Sequence, residues 1–187
     1  RREYLDQLIQ WKDEQVIKVV TGIRRCGKST LLTQYQSWLK DSGISEKQIV
    51  SVDFEELEYE ELLDYKRLYA YLKARLVSGE KTYIFLDEIQ KVPAFEKVVD
   101  SLYVKPDVDI YITGSNAYML SGDLATLLTG RYVEIKMLPL SFREYLTMTE
   151  LEKDRGFAEY LKTGGLPYLT VMDRTPQKVE TYLEGIY

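Results

Sequence analysis

Short apolar runs alternate along the chain with stretches whose apolar residues recur every three or four positions. Five of the runs are rich in β-branched and aromatic residues, as is typical of buried strands. These predicted strands cover residues 16–21, 49–53, 82–86, 108–113 and 131–136. The clearest helix is predicted where Phe95, Val98, Val99 and Leu102 follow one another at helical spacing. Strands that alternate with helices indicate an α/β fold with a parallel sheet covered on both faces.

The pattern changes near residue 137. Downstream of it the apolar spacing predicts short helices at 142–146 and 157–161 rather than strands. We therefore expect a core at 1–137 and a small helical appendage at 138–187, which also begins a truncated C-terminal region. The chain opens at Arg1 without an initiator methionine, so we expect it to be part of a longer protein.

The turn after the first predicted strand matches the phosphate-binding pattern G-x-x-x-x-G-K-[ST]. The matching residues and the one that follows them are Gly22, Ile23, Arg24, Arg25, Cys26, Gly27, Lys28, Ser29 and Thr30. The glycines let backbone N–H groups point towards one anion, and the N-terminus of the next helix adds to that site. Lys28 supplies a cation for the β- and γ-phosphates, and Ser29 a hydroxyl ligand for Mg²⁺. This segment is predicted to bind a nucleoside triphosphate.

Two carboxylates, Asp87 and Glu88, directly follow the third predicted strand. An aspartate at that point can reach the Mg²⁺ shell, and a nearby dication offsets the repulsion between adjacent acids. We assign Glu88 a different role, as the general base that polarises the attacking water. A small-molecule kinase transfers phosphate to an acceptor other than water and does not need that glutamate. Glu88 therefore favours a hydrolase over such a kinase. The chain has no Asn-Lys-x-Asp run to select guanine, so we expect ATP as the nucleotide.

Three further residues are candidates for acting on the γ-phosphate. Ser115 and Asn116 follow the fourth predicted strand, and either can hold the water or sense the phosphate; the sequence does not choose between them. Arg131 opens the fifth predicted strand. A cation there can stabilise charge on the transferred phosphoryl group, from the same chain or from a neighbouring one. A surface arginine is the alternative interpretation.

Composition narrows the function further. The 187 residues suit one α/β domain, and the net charge of −5 does not favour nucleic-acid binding, which usually requires a basic face. With one cysteine and no histidine, an intrachain disulfide and His-based zinc sites are excluded within this segment. No run approaches the roughly 20 apolar residues of a membrane span, and no signal peptide opens the chain. We expect a cytoplasmic protein.

Taken together, these motifs resemble the prokaryotic family of predicted AAA-type P-loop ATPases. The resemblance rests on residues 17–30, 85–90, 113–117, 130–132, 138–145 and 164–167. It implies a P-loop NTPase fold of the AAA (ASCE) type, with a central parallel five-stranded sheet in the order 5-1-4-3-2. It also implies that Lys28 and Ser29 are Walker-A residues and that Asp87 and Glu88 are Walker-B residues. Members usually continue into a C-terminal region with winged-helix and nuclease-like modules, where any DNA-directed activity would lie.

Two functions fit these residues. The first is a Mg²⁺-dependent ATP hydrolase that couples nucleotide state to a conformational change in an attached C-terminal domain. The second is an ATP-dependent switch or interaction module with negligible turnover. Glu88 and Arg131 favour hydrolysis, whereas the phosphate-binding segment serves both functions. A protein partner or a homo-oligomer is compatible with either.

Overall fold

The computed structural model describes residues 1–115, 128, 130–173 and 175–186. Its sheet consists of β1 (Ile17–Gly22), β2 (Ile49–Asp53), β3 (Thr82–Asp87), β4 (Val108–Ser115) and β5 (Tyr132–Met137). The strands are parallel and lie in the order β2-β3-β4-β1-β5. The predicted order 5-1-4-3-2 is therefore confirmed. Because the strands are parallel, β1, β3 and β4 end at the same edge of the sheet, where ligands of such folds bind.

One helix precedes β1, and one lies in each segment between consecutive strands from β1 to β4, as the apolar spacing predicts. They are α1 (Arg2–Gln10), α2 (Lys28–Asp41), α3 (Tyr65–Lys73) and α4 (Phe95–Tyr103). Asp64 caps the start of α3, because its carboxylate accepts hydrogen bonds from the backbone N–H groups of Lys66 and Arg67. Such a cap satisfies donors that have no partner within the helix. The residues of α4 that the spacing places on one face are all buried.

The core lies on the sheet and under these helices. Every residue of β1 and of β3 is buried, which is typical of central strands covered on both faces. The main apolar cluster joins side chains from four strands, from α3 and α4 and from the turns beside them. Its fully buried members include Ile17, Val52, Leu68, Leu72, Ile84, Leu86, Val99, Leu102 and Ile112. Four strands, α3 and α4 are thus held together by one continuous set of apolar contacts.

The chain divides into two compact units. One consists of Arg1–Thr21 with Lys28–Lys136, and the other of Gly22–Gly27 with Met137–Tyr187. The second unit contains three helices in its described part, Phe142–Thr149, Lys153–Thr163 and Pro176–Glu184, and a 3₁₀ turn at Pro167–Thr170. The helical pattern predicted beyond residue 137 is present there. A functional boundary at that residue stays a prediction.

Among the helices of the described ranges, none has both the length and the apolar character that crossing a bilayer requires.

A buried ion pair joins β1 to β4 near the amino ends of the strands. Lys18 Nζ lies 2.5 Å from Asp109 Oδ1, and the two side chains are 0% and 1% exposed. Lys18 also donates to the carbonyl oxygen of Glu14 at 2.8 Å, and Asp109 Oδ2 accepts from the backbone N–H of Asp13 at 2.9 Å. Burial lowers the pKa of Lys18 and raises that of Asp109, while their mutual attraction acts in the opposite direction on both. Each charge therefore offsets the cost of burying the other.

The same carboxylate connects the strands to α2. The Tyr111 hydroxyl donates to Asp109 Oδ2 at 2.9 Å, and it lies 2.9 Å from the hydroxyl of Tyr35 on α2. Burial raises the pKa of both phenols, so they stay protonated and act as hydrogen-bond donors. The network thus fixes β1, β4 and α2 relative to one another.

We expect Lys18→Met to lower the free energy of unfolding by roughly 3–5 kcal/mol, because it leaves the Asp109 charge buried without its cation. Chemical unfolding followed by circular dichroism measures this change. Lys40→Met is the matched control, since Lys40 pairs with Glu46 at 2.8 Å on the surface, and it should change stability little. The double variant Lys18→Met/Asp109→Leu should recover most of the loss. Equal stability of Lys18→Met and the control would contradict a structural role for the pair.

Candidate nucleotide-binding site

The first turn of α2 brings two predicted site residues to the end of β3. Lys28 and Ser29 are the first residues of this helix. The Lys28 side chain is 4% exposed, and its Nζ lies 3.3 Å from Oε1 of Glu88. The Ser29 hydroxyl hydrogen-bonds to the carboxylate of Asp87. The structure therefore places Lys28, Ser29, Asp87 and Glu88 in one cluster at the carboxyl edge of the sheet.

Asp87, the last residue of β3, is 7% exposed. Burial raises the pKa of its carboxyl above the ordinary value, and the nearby carboxylates Asp53 and Glu88 add to that shift. Hydrogen bonds from Ser29 and Thr113 act in the opposite direction. The donor set of a hydroxyl and a buried carboxylate consists of oxygen atoms, which Mg²⁺ prefers, and a dication would offset the accumulated negative charge. These residues fit the predicted metal site.

Thr113 connects the two acids, although it is not one of the predicted site residues. Its buried hydroxyl donates to Asp87 Oδ1 and accepts a hydrogen bond of 2.9 Å from the backbone N–H of Glu88. The register pairs Leu86 of β3 with Ile112 of β4, which places Thr113 next to Asp87. The only sequence signal is a hydroxyl residue near the end of a predicted strand. Its importance follows from the pairing of β3 with β4, which is not local in the chain.

Glu88 is held both at its backbone and at its carboxylate. Its backbone is left-handed, with φ of 53°, a conformation that is uncommon for residues other than glycine. This turn directs the chain from β3 into a 3₁₀ turn, Ile89–Lys91. The carboxylate faces Lys28 through Oε1 and accepts a hydrogen bond from Gln90 Nε2 through Oε2. The predicted general base thus has a defined orientation.

Arg131 does not join this cluster. Its carbonyl oxygen accepts a hydrogen bond from the N–H of Ile17, the first residue of β1, so Arg131 lies at the amino ends of the strands. Its guanidinium pairs with Asp100 of α4 at 2.5 Å. This position does not support action on a phosphate bound at Lys28 of the same chain. Action on a neighbouring chain stays a prediction, and so does the alternative of a surface arginine.

The choice between Ser115 and Asn116 also stays open. The backbone of Ser115 ends β4 at the edge where Asp87 ends β3. The Ser115 side chain and all of Asn116 fall outside the described residues.

The predicted loop residues Gly22–Gly27 pack within the second unit. Ile23 contacts an apolar cluster whose buried members are Leu166, Leu169 and Val179. Arg25 has a left-handed backbone, with φ of 64°, and its guanidinium lies 5.2 Å from the ring centroid of Tyr182. Two variable positions of the loop therefore contact the C-terminal helical segment.

The other loop positions differ in exposure. Cys26 is fully buried, and its backbone N–H donates to the carbonyl oxygen of Ile23 at 3.3 Å. Arg24 in the loop and Thr30 on α2 are exposed. Cys26 is thus a small residue that packs within the loop.

The two fixed glycines of the loop are required for different reasons. A Cβ at Gly22 would lie 2.5 Å from the carbonyl oxygen of Met137 and 2.7 Å from Cys26 Sγ. Gly27 has a φ of 101°, which side chains with a Cβ rarely adopt. The close approach at Gly22 and the positive φ at Gly27 thus each favour glycine at that position.

Comparisons with known proteins place the chain in a family. The family model described as AAA domain matches residues 14–146. An uncharacterized protein of Haemophilus influenzae is 46% identical over 193 residues, which cover 100% of this chain and 48% of that protein. An uncharacterized protein of Methanocaldococcus jannaschii is 32% identical over 191 residues, which cover 91% of this chain and 41% of that protein. The chain thus spans less than half the length of these relatives.

Solved structures share the fold at much lower identity. The chain matches a Saccharomyces cerevisiae structure of Hsp104 with casein at a TM-score of 0.61 and 15% identity, over 98% of this chain and 36% of the other. It matches Caenorhabditis elegans PCH-2 at a TM-score of 0.55 and 14% identity, over 87% of this chain and 46% of the other. At such identities the likeness concerns the fold alone.

We expect Thr113→Val to lower the free energy of unfolding by about 1–3 kcal/mol, because it removes a donor from Asp87 and leaves the Glu88 N–H without its acceptor. Denaturant titration of both proteins measures the difference. Thr113→Ser keeps the hydroxyl and should retain most of the stability. If Thr113→Val is as stable as the parent, the hydroxyl does not bridge the two acids in solution.

Proposed function

Because the chain belongs to the AAA domain family, we propose that it binds Mg²⁺-ATP and hydrolyses it. One observation carries this proposal. A buried lysine, a serine hydroxyl and two carboxylates from distant parts of the chain, Lys28, Ser29, Asp87 and Glu88, come together at the carboxyl edge of the sheet. Phosphoryl transfer depends mainly on positioned charges and on a base for water, and this cluster supplies both.

Binding begins with the residues that lead into α2. The loop 22–27 directly precedes Lys28, and the helix N-terminus offers N–H groups to an anion. Lys28 is paired with Glu88 Oε1 at 3.3 Å. A triphosphate carries more negative charge than one carboxylate, so we propose that Lys28 exchanges Glu88 for phosphate oxygens. Ser29 and Asp87 would hold Mg²⁺, which when bound neutralises charge on the phosphates.

This exchange frees one oxygen of Glu88 for chemistry. With Lys28 engaged on phosphate, Oε1 can accept a proton from water. The water oxygen forms a bond to the γ-phosphorus, the bond from that phosphorus to the bridging oxygen breaks, and ADP leaves with the bonding electron pair. Glu88 then returns its proton to solvent or product. Glu88 is thus paired with Lys28 in the absence of nucleotide, and it becomes free to act as a base when nucleotide binds.

We further propose that nucleotide state reaches the C-terminal helices through the loop. Ile23 packs against Leu166, Leu169 and Val179, and Arg25 lies over Tyr182, all within the second unit. A change in the loop on binding phosphate would alter these contacts directly. This supports coupling to the C-terminal region of a longer protein, and any DNA-directed activity would belong to that region.

Arg131 is proposed to act on the nucleotide of a neighbouring chain. Its side chain is 44% exposed and lies at the amino ends of the strands, so a second copy could approach it. We therefore propose that the protein forms a homo-oligomer. We also propose that it acts in the cytoplasm. The charge of Arg131 would stabilise the transferred phosphoryl group of that neighbour.

Lys28→Ala should weaken MgATP binding about 10- to 100-fold, since a charge-assisted contact contributes roughly 1.5–3 kcal/mol. Isothermal titration calorimetry with MgATP measures the affinity. Lys40→Ala, in the last turn of the same helix, is the matched control and should bind as the parent does. An affinity of Lys28→Ala within about threefold of the parent would contradict the Walker-A assignment.

Substitutions of the two acids should have different effects on binding and on turnover. Asp87→Asn should weaken MgATP binding and its metal dependence, whereas Glu88→Gln should keep affinity and lower turnover about 10²–10⁴-fold, the range for general-base catalysis. Calorimetry and steady-state phosphate release, with and without DNA, would be measured on the same preparations of the longer protein. If Glu88→Gln hydrolyses ATP normally, the base assignment is wrong. If the parent binds MgATP without turnover, the switch function replaces the hydrolase.

A further inference from the structure

Gln90 uses its side-chain amide on the predicted general base. Its Nε2 donates a hydrogen bond to Glu88 Oε2. The other amide atom, Oε1, is buried and accepts no hydrogen bond from the residues that the structure describes. The reversed orientation of the amide would set Oε1 against a carboxylate oxygen, so Glu88 determines which way the amide points. Within the described ranges, the hydrogen bond to Glu88 is thus the one that the Gln90 side chain makes.

The backbone under Gln90 is fixed. Its neighbours Ile89 and Val92 are 0% and 1% exposed and anchor the 3₁₀ turn in the core. The Lys91 N–H donates to the Glu88 carbonyl at 3.1 Å, and the Val92 N–H donates to the Ile89 carbonyl at 2.9 Å. A side chain that extends from such a turn can hold its partner in a narrow range of positions.

The Glu88 carboxylate is held from two sides. Lys28 faces Oε1 at 3.3 Å, and Gln90 donates to Oε2. Under the proposed function, Lys28 leaves Glu88 and pairs with phosphate oxygens when nucleotide binds. Gln90 then keeps Oε2 in place while Oε1 is open to water. Without that hydrogen bond the carboxylate can rotate away, and misplacement of a catalytic group by about 1 Å can cost about 10²-fold in rate.

We propose that Gln90 is a positioning residue that orients the Glu88 carboxylate during ATP hydrolysis. The inference rests on the proposed function, because it assumes that Glu88 acts on water. In this role Gln90 makes no contact with nucleotide. Its loss should therefore affect turnover and leave binding intact.

The test is Gln90→Met in the longer protein, since methionine matches the length of glutamine and donates no hydrogen bond from its side chain. We expect kcat to fall about 10- to 100-fold. The MgATP affinity from calorimetry should stay within about threefold of the parent, and the unfolding midpoint should not fall, because the substitution also removes a buried acceptor. Unchanged kcat, or affinity that falls together with kcat, would overturn the proposal.

Lys91→Met provides the matched control in the same turn. Its ammonium donates to the Phe54 carbonyl at 3.2 Å and lies 3.9 Å from Glu55, so it supports neither oxygen of Glu88. This variant should keep the parent kcat. An equal loss in Lys91→Met and Gln90→Met would mean that the turn as a whole, rather than the amide, determines turnover, and would overturn the proposal.

A double variant separates this inference from the proposed function. If Gln90 acts through Glu88, Gln90→Met should cause no further loss of kcat in a Glu88→Gln background. Losses that multiply would overturn the positioning role. Loss of turnover in Glu88→Gln but not in Gln90→Met would reject this inference alone. Full turnover in Glu88→Gln would reject the proposed base and, with it, the role of Gln90.

Discussion

Repulsion between two adjacent carboxylates at the end of β3 is the constraint around which the candidate site is arranged. Asp87 is buried and accepts hydrogen bonds from Ser29 and Thr113. Glu88 turns away from it through a left-handed backbone and faces Lys28 instead. Each acid therefore has its own compensating partners, and the two keep different surroundings although they are neighbours in the chain. This difference is the physical basis for giving them different roles.

A second set of charges at the amino ends of the strands supports that arrangement. Lys18 and Asp109 join β1 to β4, and Tyr111 extends the network to Tyr35 on α2. The helix that carries Lys28 and the strand that carries Thr113 are thus tied together away from the site. A network with every member paired stabilises one arrangement of these elements, because any shift would leave a buried charge unpaired.

The phosphate-binding loop contacts the part of the chain that is proposed to respond to nucleotide. Ile23 packs in the apolar cluster of the C-terminal helical segment, and Arg25 lies over Tyr182. Both residues occupy variable positions of the loop pattern, so their identity can suit the helices without disturbing the glycines and the lysine. The positions predicted to bind phosphate and the positions that contact the C-terminal helical segment are therefore different residues of one short loop.

The sequence by itself determined the features that depend on neighbouring residues. Strands and helices follow from local apolar spacing, and the loop and the acid pair are each contiguous motifs. The α/β fold class and the cluster of Lys28 with Asp87 could therefore be predicted, while the strand order came from the resemblance to AAA-type ATPases. The tertiary structure alone decided what depends on strand pairing. The register of Leu86 with Ile112 brings Thr113 to the acids, and the parallel direction of β1 and β5 places Arg131 at the opposite edge. The position of Thr113 beside the acids does not follow from a local pattern, because the pairing of β3 with β4 arises from hydrogen bonds between segments far apart in the chain.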